Sequence, residues 1–166
     1  ILSIGELLSA KLLTAILVNN GINARFADSR ELIKTDSKFG DAQPIEQASK
    51  KNVVQYFKEN DDAVNIVTGF IASNAKNVTT TLGRNGSNYT ASLIANYLNA
   101  EELQNYTHVD GIYTANPDLV PDAKKIDYLT FNEANELANF GATILHAKTI
   151  IPLLEKNIPL RILNTF

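Results

Sequence analysis

The chain has 166 residues, 45% hydrophobic and 20% charged, enough for one globular domain with a sizeable core. A net charge of −3 argues against nucleic acid as the main partner, and no apolar run reaches the ~20 residues of a membrane-spanning helix. The absence of cysteine excludes disulfides, thiol nucleophiles and thiolate metal sites, and a cytoplasmic location is expected.

Ser3-Ile4-Gly5-Glu6 has capping-box spacing ahead of an apolar helix over residues 7–18, which is expected to be buried. Asn20-Gly21 ends that helix, and Ile22, Ala24 and Phe26 alternate as in a strand. A loop at 40–44 leads into a second helix with Val53, Val54 and Phe57 on its inner side. Residues 64–68 form a strand that runs into Gly69, and the β-branched, threonine-rich run 78–82 predicts another. Ala91, Ile94, Ala95 and Leu98 then give the stripe of an amphipathic helix.

A strand is expected over 103–109, followed by an irregular stretch with turn residues at Asp110-Gly111 and prolines at 117 and 121. Thr130-Phe131-Asn132-Glu133 is a second capping box, whose helix Gly141 would close. Pro152 interrupts the next helix unless it lies in the first turn, and 159–163 is the last strand. The alternation of strands and helices predicts an α/β fold with a mainly parallel sheet flanked by helices, in one domain. The chain starts at an isoleucine, has no methionine and ends on a strand-like run, so it reads as an excerpt of a longer protein.

The segment Thr79-Thr80-Thr81-Leu82-Gly83-Arg84-Asn85-Gly86-Ser87-Asn88-Tyr89-Thr90 carries the most chemistry. A strand ends at Gly83, the chain turns through Gly86, and a helix starts near Ser87. The unpaired N–H groups of a helix N-terminus stabilise an anion, and Arg84 adds a cation able to grip a carboxylate or phosphate. The same residues equally fit an ordinary turn with Ser87 as N-cap and Arg84 in solvent. Thr68-Gly69-Phe70 is a second strand end followed by glycine, and two such ends suggest a shared crevice. Glu6 is either a cap or a ligand for an ammonium group. The run from Thr107 to Pro117 carries Tyr113 among turn residues, which suits a nucleotide or a buried surface-loop tyrosine. His108 and His146 lack metal-ligand spacing.

Taken together, Thr68-Gly69-Phe70, Thr81-Leu82-Gly83-Arg84-Asn85-Gly86-Ser87, Val109-Asp110-Gly111-Ile112-Tyr113-Thr114 and Phe140-Gly141-Ala142-Thr143-Ile144-Leu145-His146 resemble the aspartate kinases of the amino-acid kinase family. The resemblance covers nearly the whole chain, and the Leu-Gly-Arg-Asn-Gly-Ser wording is most like forms fused to homoserine dehydrogenase. It implies a three-layer αβα sandwich, with 1–166 a partial catalytic domain that lacks an N-terminal lysine loop and C-terminal regulatory domains. It also implies ATP-dependent phosphorylation of the L-aspartate side chain, with Mg2+ carried on the nucleotide, and a homo-oligomer in the complete protein.

Carried over by position, the resemblance has Arg84 hold the substrate α-carboxylate, Glu6 its α-amino group, and Ser87 the substrate end of the helix. Thr68, Gly69, Thr107, His108, Tyr113, Asp118 and Thr143 fall in the nucleotide site, and Asn88 takes the place of a catalytic aspartate. The family usually has aspartate at Asn88 and His108, arginine at Asp118 and lysine at Thr143. These replacements keep open a degenerate, non-catalytic domain, and a glutamate kinase is a further alternative.

Overall fold

The computed structural model describes residues 2–115, 119–139 and 147–166, which fall into two compact units, residues 2–98 and 99–166. In the first, helix α1 (Leu2–Asn19) precedes strand β1 (Ala24–Ala27), the short helix α2 (Ser29–Leu32) and strand β2 (Lys34–Thr35). Helix α3 (Glu46–Glu59), strands β3 (Val64–Val67), β4 (Ile71–Asn74) and β5 (Thr79–Thr81), and helix α4 (Gly86–Leu98) complete it.

α1 starts earlier than its sequence signals indicate, so Ser3 and Glu6 lie within the helix and do not form its capping box. Its end is as expected. Ile22 N–H donates to Leu17 O and Gly21 N–H to Val18 O, with Gly21 at φ 81°, the Schellman arrangement that favours glycine. The helix is not buried as expected either. Ala10 is buried, the one such residue among those described in this helix, whereas Ile4, Leu8, Leu12 and Ile16 form an exposed i, i+4 stripe. An apolar run signals helix here, but not how many of its faces are covered.

β1 pairs with β3 in parallel, from Ala24↔Val64 to Ala27↔Val67. β2 runs parallel to β4, but β5 returns antiparallel to β4, with Ile71↔Thr81 in register. The 78–82 run is therefore a hairpin arm and not a further parallel strand. Asn74 Oδ1 accepts from the Lys76 and Val78 amides, and Asn77 takes a φ of 58°, which closes the hairpin within four residues of β4. α2 is capped by Asp28, whose carboxylate accepts from Arg30 N at 3.0 Å and grips the Arg30 guanidinium. Burial pulls the Asp28 pKa upward, but the bonds and charge of Arg30 outweigh it and leave the carboxyl below its usual range.

The core of this unit gathers Leu32, Ile33, Val53, Ala72, Leu82, Leu93 and Tyr97. Fully buried side chains such as Ile33, Val53 and Leu82 each contribute on the order of 1.5–3 kcal/mol. Val53 and Phe57 of α3 face inward as expected, while Val54 is exposed. Buried hydroxyls are paired across elements: Thr35 with Thr80 at 2.7 Å, and Ser29 with Thr68 at 2.8 Å.

In the second unit, strand β6 (Leu103–Thr107) pairs in parallel with β9 (Leu160–Asn164). Strands β7 (Ile112–Tyr113) and β8 (Lys125–Ile126) form an antiparallel ribbon inside the stretch read as irregular. Helices α5 (Phe131–Asn139) and α6 (Ala147–Leu154) pack together. The second capping box is present: Glu133 Oε2 accepts from Thr130 N at 2.8 Å, and Thr130 Oγ1 accepts from Glu133 N at 3.3 Å. Pro152 lies inside α6, neither in its first turn nor interrupting it. It sits two residues from the helix end, where the lost N–H removes only one ladder bond. Gly141 lies outside the described residues. No described helix is long and apolar enough to cross a membrane.

Candidate functional site

Two turns of the first unit meet at backbone distance. The first, Thr68-Gly69-Phe70, links β3 to β4. Phe70 has a φ of 66°, a left-handed conformation that costs a bulky residue on the order of 1–3 kcal/mol. Its surroundings hold it there: Phe70 N–H donates to Thr90 Oγ1 at 3.2 Å, and Phe70 O accepts from Leu82 N at 2.9 Å. The second turn runs from Leu82 into α4, with Gly83 at φ 79° and Asn85 at φ 57°. Gly86 N donates to Gly83 O, and Tyr89 N to Asn85 O.

Glycines make the approach possible. A Cβ on Gly69 would lie 2.8 Å from Ser87 Cβ and 2.9 Å from Ser87 Cα. A Cβ on Gly86 would lie 3.1 Å from Phe70 Cα. The expected crevice between two glycine-bearing strand ends is thus a direct contact of the two turns. Its strands belong to different ladders, one of them antiparallel.

α4 begins at Gly86, one residue before the expected start, so Ser87 occupies the first turn and does not cap the helix. The first-turn amides have no partner within the helix, and the helix dipole is positive there. Arg84 and Ser87 are exposed and Asn88 is half-buried. None of the three side chains makes a hydrogen bond or ion pair among the described residues, so a cation, a hydroxyl and an amide remain available to a ligand at one helix end. Behind Gly83, a Cβ would meet Asp41 Oδ1 at 2.6 Å, which places a carboxylate beside the same turn.

Other expected residues are placed differently. Thr68 is 1% exposed and its hydroxyl is committed to Ser29, so its side chain serves the fold and only its main chain can face a ligand. Glu6 is half-buried on α1, with no hydrogen bond to either turn among the described residues. In the second unit, Thr107 ends β6, its carbonyl accepts from Thr165 N and its hydroxyl lies 3.2 Å from His108 Nδ1. Tyr113 donates through its hydroxyl to Asp110 Oδ1 at 2.9 Å, and Lys125 Nζ donates to Asp110 Oδ2 at 3.2 Å. The bond from Tyr113 and then that from Lys125 hold the Asp110 carboxyl below its usual range, and Asp110 in turn raises the Tyr113 phenol. Asp118, Thr143 and the 140–146 motif lie outside the described residues.

The sequence motifs include Phe70, Thr90 and Asp110 but give them no role of their own, and they pass over Lys125. Thr90 had one signal, its position four residues after Gly86, where a helical threonine can bond back to a carbonyl.

The amino acid kinase family model matches residues 1–164. The chain belongs to the amino acid kinase family. It is 41% identical over 160 residues to lysine-sensitive aspartokinase 3 of Escherichia coli, covering 96% of this chain and 36% of that protein. It is 38% identical to bifunctional aspartokinase/homoserine dehydrogenase 1 of Arabidopsis thaliana, covering 98% of this chain and 18% of that one. Single-activity and fused forms are therefore both among its homologues. The crystal structure of E. coli aspartokinase III with aspartate and ADP superposes with a TM-score of 0.92 at 40% identity, covering 98% of this chain and 36% of that chain. This amino acid kinase chain thus spans about a third of the E. coli protein and shares its α/β fold with parallel strands.

Proposed function

We propose that the protein containing this chain transfers the γ-phosphoryl group of ATP to the side-chain carboxylate of L-aspartate. A carboxylate oxygen attacks the γ-phosphorus, the bond to the β–γ bridging oxygen breaks, and aspartyl phosphate and ADP result. Catalysis of this kind is mainly positioning and neutralisation of charge. The observation that carries the reading is the uncommitted Arg84 in the turn before α4, with Ser87 and Asn88 in the helix's first turn, locked to the 68–70 turn through Gly69 and Gly86. The aspartokinase relatives, one solved with aspartate and ADP, support it.

In this reading Arg84 binds the α-carboxylate, Glu6 the α-ammonium group, and Ser87 and Asn88 the aspartate end of the helix. The resemblance assigns nucleotide roles to Thr68 and Gly69 in the first unit and, separately, to Thr107, His108, Tyr113, Asp118 and Thr143 in the second. In this reading magnesium is carried on the nucleotide phosphates. Residues 1–166 are then part of a catalytic domain with a three-layer αβα arrangement, in a cytoplasmic protein able to form homo-oligomers. Titrating the chain with L-aspartate and following the Ser87 and Asn88 amides tests the aspartate side: saturable shifts support it, and equal response to L-glutamate redirects it to another acid kinase.

A second reading, a non-catalytic domain that keeps the fold, is favoured by Asn88, whose neutral amide cannot supply a carboxylate's charge. Asn88→Asp in the complete protein separates the two. A large gain in turnover points to a decayed site, and wild-type turnover that the substitution leaves unchanged points to a working one.

A further inference from the structure

We propose that Thr90 is a positioning residue, whose buried hydroxyl locks the 68–70 turn onto the first turn of α4 and thereby sets the groups that receive the amino-acid substrate. The proposal rests on the aspartate reading of that helix end, but Thr90 is not a position to which the resemblance assigns any role.

Thr90 is 2% exposed. Its Oγ1 donates its one proton to Gly86 O at 2.9 Å, which leaves the oxygen lone pairs to accept Phe70 N–H at 3.2 Å. One atom therefore joins the first residue of α4 to the left-handed residue of the facing turn. The opposite side of that turn is held by a second buried hydroxyl, Ser29 Oγ, which donates to Ile71 O at 2.5 Å and pairs with Thr68 Oγ1 at 2.8 Å. Phe70 is thus pinned on both flanks in a conformation it would not take freely. The contact it makes is the one that seats Gly69 on Ser87 and Phe70 on Gly86. Releasing Phe70 N–H frees the turn to relax and moves the helix end on which Arg84, Ser87 and Asn88 stand.

Valine has the same shape as threonine without the hydroxyl, so Thr90→Val isolates the two bonds, and Thr90→Ser restores them without the methyl. The test measures amide exchange at Phe70 and L-aspartate affinity in the 166-residue chain, with thermal melts alongside. Thr90→Val should speed Phe70 exchange and weaken aspartate binding by about tenfold each, equivalent to about 1.4 kcal/mol. Exchange in β1 and β3 should stay unchanged, and Thr90→Ser should recover both losses. If valine at this position prevents folding, Thr90→Ala serves in its place.

Phe70 exchange that does not respond overturns the proposal. So does faster exchange with unchanged aspartate affinity, since the hydroxyl would then be merely structural. Arg84→Ala is the separate control for the site, expected to lose aspartate with Phe70 exchange intact. If the wild-type chain binds no L-aspartate, the aspartate reading falls, and the exchange comparison alone decides whether Thr90 joins the two turns.

Discussion

Gly69→Ala tests the contact between the two turns with one methyl group. The added Cβ would sit 2.8 Å from Ser87 Cβ and 2.9 Å from Ser87 Cα, whereas carbon atoms pack comfortably at about 3.5 Å or more. The turn and the helix must therefore part by roughly 0.7 Å. Ser87 Cα is backbone at the start of α4, so rotating a side chain cannot relieve the overlap. Overpacking of this kind costs about 1–3 kcal/mol. For a chain of this length each kcal/mol moves the melting temperature by about 2–4 °C, so a fall of roughly 2–12 °C is expected by circular dichroism. The control is Gly5→Ala. That glycine lies in α1 with open space around its Cβ position, so alanine there should stabilise by about 0.5–1 kcal/mol. If Gly69→Ala melts at or above wild type while Gly5→Ala behaves as stated, the close approach of the turns is wrong.

Arg84→Ala should weaken L-aspartate by roughly ten- to a hundredfold, the worth of a charge-assisted pair, and leave stability within about 0.5 kcal/mol because the side chain is exposed; titration and melting measure both. Asp28→Asn keeps a capping side chain and removes the charge that Arg30 grips. Because the folded Asp28 pKa is depressed, its contribution is present above the ordinary value of 3.8 and is lost as pH falls below that toward the folded value. The wild-type chain should therefore lose stability more steeply than the variant in that acid window, as measured by urea melts at stepped pH. Leu8→Glu with Leu12→Glu should reduce self-association in light scattering with little change in melting temperature, since these side chains are 63% and 62% exposed.

What the sequence revealed was mostly local. The Thr130–Glu133 box, the Gly21 helix stop and the stripe of α4 all depend on residues within one or two turns of each other. β4 escaped notice because Ile71-Ala72-Ser73-Asn74 is buried at every position and shows no alternation. The β7–β8 ribbon escaped because two-residue strands leave no period to read. At the candidate site, the placement of Arg84 and Ser87 beside a helix start was legible from the glycine-bearing turn. Thr90 was not, since a threonine inside a helix gives no sign that its hydroxyl bonds to a residue twenty positions earlier. Thr68 shows the same limit: its place at a strand end gives no sign that its hydroxyl is bonded to Ser29, 39 residues away.

The central claim is that the α4 turn is the aspartate side of a phosphoryl-transfer site. It is tested most directly by L-aspartate-dependent ADP release from the complete protein, compared between wild type and Arg84→Ala. Turnover that saturates with L-aspartate, and a KM raised at least about tenfold by the substitution, is the predicted result. Contradiction would come from a well-folded complete protein that releases no ADP with aspartate, or from one whose KM ignores the loss of Arg84.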